Sequence, residues 1–106
     1  MASSPVDIHT MRTAAAALLD NGIEPPTGFY LSTLAEQLRE YLKLLVRVLE
    51  VTSHATDDPR ASAGLGEARR KLAAGQSSLG TLRWAQGLAR SVNSLCTHAE
   101  RLTVPE

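Results

Sequence analysis

Cysteine occurs once in the 106 residues, at Cys96, so no internal disulfide can form and a reducing, cytoplasmic setting is expected. Aromatic residues number four: Phe29, Tyr30, Tyr41 and Trp84. Their scarcity, with few β-branched residues and abundant Ala and Leu, argues against a sheet. Net charge is missing as well. Eleven Lys and Arg balance eleven Asp and Glu, so there is no overall attraction to nucleic acid or to an anionic membrane. No apolar run approaches the roughly 20 residues that span a bilayer. No basic stretch followed by an apolar one marks a signal peptide at the N-terminus. The Walker, Rossmann, paired C-x-x-C and H-E-x-x-H patterns are all absent. His9, His54 and His98 fall on separate segments without a Glu-x-x-His spacing, so neither a metal site nor a cofactor is expected.

What remains is 43% apolar residues, enough for a single domain over residues 1–106 with one core. Four amphipathic segments predict an all-α fold, an antiparallel four-helix bundle, possibly dimeric. Helix one is expected from about Pro5 to Asp20, capped by Ser4, with Ile8, Met11, Ala15 and Leu18 as its seam. Gly22 follows as a stop. The connection through Pro25, Pro26 and Gly28 forbids regular helix, and Phe29 and Tyr30 within it are expected to fold back over one end of the core.

Helix two is expected from about Thr33 to Ser53, with Thr33 and Glu36 as a capping box. Leu34, Leu38, Tyr41, Leu45, Val48 and Thr52 form its seam, which Leu42 and Leu49 widen on one side and Leu44 and Val51 on the other. Val46 intrudes on the polar face. So wide an apolar sector exceeds what one neighbour covers, making helix two either the central helix or an intermolecular contact. Helix three should run from Pro59, capped by Asp58, to about Ala74, with Ala61, Leu65, Ala68 and Leu72 inward and Gly75 as its stop. Glu67 and Lys71 are spaced for an ion pair. Helix four should run from about Ser78 to Leu102, with Pro105 beyond. Its seam is Ala85, Leu88, Val92, Leu95, Ala99 and Leu102, and Leu82, Ala89 and Cys96 adjoin it.

Three sets of residues are candidates for recognition. Trp84, Ser91 and His98 recur every seven residues along one border of helix four and could wall a ligand cleft. Between Arg60 and Arg101, seven cations face only Glu67 and Glu100, a net of +5 on a neutral chain. Arg69, Arg70, Arg83 and Arg90 are therefore candidates for an acidic partner. The third set is Leu44, Val46 and Val51, which lie outside the seam and suggest a homodimer interface. Cys96, His98 and Glu100 are not a constellation, because residues two apart on a helix do not face each other.

The segments Gly66-Glu67-Ala68-Arg69-Arg70-Lys71-Leu72, Ala89-Arg90-Ser91-Val92 and Leu95-Cys96-Thr97-His98 resemble a family of small actinomycete proteins of unknown function. Met11-Arg12, the Ala-rich run after it and the Leu-rich second helix are similar to the same family's layout. The resemblance implies a helical fold and a loose association with natural-product gene clusters, and it brings no catalytic residues.

Together these readings point to a non-enzymatic accessory protein that self-associates and binds another protein. A small-molecule-binding bundle or small enzyme of natural-product metabolism, using Trp84, Ser91 and His98, is the alternative. Nucleic-acid binding through helices three and four stands behind both, since the aromatic interleaving of single-strand binders is missing.

Overall fold

A computed structural model describes residues 7–20, 22, 24–51, 58–75 and 80–103, with 102 and 103 described by backbone alone. Four helices account for most of it: α1 (Ile8–Leu19), α2 (Gly28–Glu50), α3 (Pro59–Ala74) and α4 (Thr81–Thr103). No strand occurs among the described residues.

The helix ends follow local chemistry. Asp7 caps α1, accepting the Thr10 N–H at 3.1 Å and the Thr10 hydroxyl at 2.7 Å. It takes the place expected of Ser4, which with Pro5 lies outside the described residues. Asp58 caps α3 through the Arg60 N–H at 2.9 Å, with Pro59 at the first helical position. Gly75, at φ 72°, stops α3 in a conformation that side chains disfavour.

α2 starts earlier than the capping-box pattern predicts. Pro25 and Pro26 hold the approach outside the helix, but Gly28, at φ 58°, turns extended Thr27 directly into it. Phe29 and Tyr30 therefore form the first turn of α2 instead of folding over the core, and they are 77% and 76% exposed. Thr33 and Glu36 become interior, exposed helical positions. α2 ends at Glu50, and the expected extension through Thr52 and Ser53 lies outside the described residues, as do His54, Ser78 and Pro105.

α4 runs antiparallel to both of its lateral neighbours. Arg12, early in α1, pairs with Glu100 and donates to Thr97 at 3.1 Å near the end of α4, while Gln86 near the start of α4 reaches the Leu18 carbonyl. On the other side Gly64 of α3 faces Leu95 and His98, and Lys71 faces Gly87 and Ser91. α1 and α3 do not touch one another, and α2 and α4 pack over the largest shared surface between them. The core is one cluster drawn from all four helices, with Met11, Leu38, Leu42, Leu45, Leu49, Leu88, Val92 and Leu95 among its sealed members.

The inward stripe of α2 is rotated from the predicted seam. Leu31, Ala35, Leu38, Leu42, Leu45 and Leu49 are buried, whereas Leu34, Tyr41 and Val48 are half-buried at its edge. The width of the apolar sector is explained in part by α2 touching all three other helices. Val46 corrects the expectation of an outward position: it is 8% exposed. It lies one turn before Glu50, whose carboxylate Arg69 of α3 clasps, so Val46 sits on the flank that α3 covers.

Candidate functional site

Trp84, Ser91 and His98 come together on one border of α4 as their spacing predicts, but α3 already occupies that border. Ser91 and His98 are 7% and 9% exposed. His98 and Leu95 pack against Gly64, where an added Cβ would meet Leu95 Cδ2 at 3.3 Å and the His98 ring at 3.7 Å. Trp84 packs on the core with its Nε1 buried and without a hydrogen-bond partner among the described residues. The row is thus a helix–helix seam, and Trp84 and His98 do not line the groove beside it. That groove, about 350 Å³, is bounded by Gly64, Glu67, Lys71, Arg90, Ser91 and Ser94.

Lys71 is the centre of this seam. Its Nζ donates to Ser91 Oγ at 2.7 Å and to the Gly87 carbonyl at 3.0 Å, and it lies 3.2 Å from the Glu67 carboxylate. A lysine beside a serine can activate a nucleophile only if the amine is neutral and can accept the hydroxyl proton. Here the Nζ donates to the Ser91 oxygen and the Gly87 carbonyl and faces the Glu67 carboxylate, so it is not placed to accept the hydroxyl proton. The cluster therefore works as a polar clasp joining α3 to α4, with Ser91 as an acceptor in it.

The four arginines do not form one face. Arg69 turns toward α2 and binds Glu50, its Nε at 3.0 Å, while Arg70, Arg83 and Arg90 remain exposed on the outside of α3 and α4. Cys96 is sealed in the core, where burial pushes its thiol up to about 11 despite the opposing pull of the Arg12 guanidinium. It is a small apolar filler at neutral pH.

The feature that sequence reasoning partly missed is a second apolar stripe on α2. Tyr30, Leu34, Tyr41, Leu44, Val48 and Val51 recur at 4-7-3-4-3 spacing, with Gln37 filling the gap as a 3-4 alternation. The stripe lies about 110° round the axis from the buried one, at 100° per residue. Val51 is 81% exposed, Tyr30 76%, and Leu44 and Tyr41 are half-buried. Of the three residues predicted for an interface, Leu44 and Val51 belong to this stripe and Val46 does not. The signal was present in the heptad spacing, but assigning Tyr30 to a loop cut off its first member.

α1 covers only part of this stripe. It has 12 residues against the 23 of α2, a difference of about 16 Å in length at 1.5 Å per residue. Beside it a groove of about 470 Å³ opens between the helices, lined by Thr10, Thr13, Ala14 and Ala17 on α1 and by Leu34, Gln37 and Tyr41 on α2. The α2 residues that line this groove all fall between 34 and 41, so it runs along the first half of α2 and the flank around Leu44 and Val51 lies beyond it.

No group of His, Cys, Asp and Glu among the described residues is arranged to hold a metal ion, and none of their helices is long and apolar enough to cross a membrane. Residues 9–104 match the model of a family of unknown function, DUF6415. No curated protein and no solved structure matches the chain.

Proposed function

The chain belongs to that family of unknown function, and on this footing we propose that it is a non-enzymatic interaction protein that binds another protein through the outer flank of α2. The observation that carries this reading is the second apolar stripe, with Tyr30 and Val51 more than three-quarters exposed at its two ends. Apolar and aromatic side chains aligned over several helical turns are what helix-mediated recognition uses, and tyrosine is among the residues that anchor interfaces most strongly. The chemistry of the α3–α4 seam supports the same side, because the one polar cluster there is internally satisfied. Arg70, Arg83 and Arg90 would add attraction for an acidic partner, sensitive to salt.

Photo-crosslinking tests this reading. A benzoylphenylalanine at position 44 should give a discrete protein adduct in cells, and the same probe at position 62, exposed on α3, should not. No adduct from position 44, or equal labelling from both positions, overturns it.

A further inference from the structure

We infer that the occupant of the α2 flank is a second copy of this chain, docked with its α2 antiparallel about a two-fold axis between Tyr41 and Leu44. This deepens the reading above and rests on it.

The argument begins with register. In an antiparallel pair the stripe residues must meet in layers, and registers differing by one heptad satisfy the apolar contacts of this helix; the one that stacks Leu44 on Val48 sets Arg47 against Arg47, which leaves two to compare. The first stacks Tyr41 on Leu44 of the second copy and Leu34 on its Val51. The second stacks Tyr41 on Gln37 and Leu44 on Leu34 of the second copy. Charge separates them. The row bordering the stripe on its solvent side is Thr33, Glu40 and Arg47, again seven apart. In the first register Glu40 of each copy lies across from Arg47 of the other, twice over by symmetry. In the second, Glu40 meets Glu40. The same register that buries Tyr41 against Leu44 is therefore the one with opposite charges, and the surface is self-complementary, as a two-fold interface requires.

The side chains are placed to allow this. Glu40 is exposed and holds only Lys43 on its own helix, at 3.1 Å. Arg47 is exposed and makes no ion pair among the described residues. Desolvating neither breaks a tertiary contact.

The shape of the flank gives a second, independent argument. The short α1 leaves a groove along the first half of α2, lined among others by Ala14, Ala17, Leu34 and Tyr41, and beyond it a second half in which Leu44 and Val48 are half-buried against the core and Val51 is exposed. The two-fold sets the uncovered half of each α2 against the α1–α2 groove of the other copy. Of the α1 residues that line the groove, Thr10, Thr13, Ala14 and Ala17 are small and His9 is the one large side chain, which leaves room for the incoming residues.

Sedimentation equilibrium on the purified full chain, with Glu40→Arg, Arg47→Glu and the double exchange, tests the proposal. The native chain should be dimeric at tens of micromolar. Each single reversal sets like charges together at both symmetric contacts and should weaken association about tenfold or more. The double exchange restores opposite pairs and should recover most of the affinity. Leu44→Glu should give a monomer with unchanged helicity, since that side chain is half-exposed.

A monomeric native chain overturns the second-copy assignment, and so does a double exchange as weak as the singles. In either case an adduct at position 44 of a mass other than twice the chain's would leave the interaction reading standing. Absence of any adduct there removes both.

Discussion

Gly64 and Gly66 lie two residues apart on α3, about 200° round its axis, and face different surroundings. At Gly66 an added Cβ would meet only the end of the Arg70 side chain, at 3.6 Å. Gly66→Ala should therefore stabilise the chain by about 0.5–1 kcal/mol through backbone entropy alone. At Gly64 the same gain is opposed by Leu95 Cδ2 at 3.3 Å, and Leu95 is sealed in the core with little freedom to shift. Gly64→Ala should fall short of Gly66→Ala, and Gly64→Val should cost about 1–3 kcal/mol by prising α3 from α4. Urea denaturation measures all three. A Gly64→Val variant as stable as the parent would mean that α3 does not sit against Leu95 and His98. Sequence alone marks both positions as small; which one carries the close approach depends on where α4 lies, and no local pattern holds that information.

At the level of elements, the helix caps make the bundle sensitive to acid. The Arg60 N–H holds the Asp58 carboxyl below its ordinary 3.8, and the Thr10 hydroxyl and N–H do the same for Asp7. A carboxyl depressed on folding contributes stability that is whole above the unfolded value of 3.8 and is lost as pH falls below it, through the lower folded value. Asparagine caps a helix without titrating. The Asp7→Asn, Asp58→Asn double variant should therefore lose less melting temperature than the parent between about pH 5 and about pH 2.5. Equal losses followed by circular dichroism would show that the caps are not what acid attacks. These ends also show why some elements were legible and others not. Asp58-Pro59 and Gly75 announce α3 in three residues, and the structure places its ends there. α2 has two plausible starts, and the capping box at Thr33 and Glu36 is the stronger of them by residue type. Gly28 prevails because its positive φ lets the backbone enter the helix at once, which adds a turn of hydrogen bonds without any side-chain cap.

For the whole molecule, the decisive fact is that α1 and α3 never meet and both depend on the α2–α4 pair. The amphipathic periods could show that four helices share one core, because each carries its own apolar stripe. They could not show which pair forms the short diagonal, since that depends on how wide each stripe becomes once its neighbours are placed. α1 buries Met11, Ala15 and Leu18, and α3 buries Ala61, Leu65 and Ala68. α2 seals seven residues, with Leu45 at 0% exposure near the middle of its buried stripe. Twelve residues of Ala-rich helix are marginal alone, so α1 is held by Met11, Ala15 and Leu18 with half-buried Ile8, Ala14 and Leu19 against the core, and by the Arg12 and Gln86 links to α4. Native-state hydrogen exchange should resolve this hierarchy, with the central amides of α2 and α4 exchanging only through global unfolding and those of α1 through a smaller opening. Leu45→Ala should lower the global free energy by about 2–5 kcal/mol, because the cavity would lie between α2 and α4. It should leave the α1 opening energy unchanged until the global value falls to meet it. If Leu45→Ala instead lowers the α1 and α2 values by the same amount from the outset, the four helices unfold as one unit and α1 is not a separate layer. A loss under about half a kilocalorie at every amide would place Leu45 outside the core altogether.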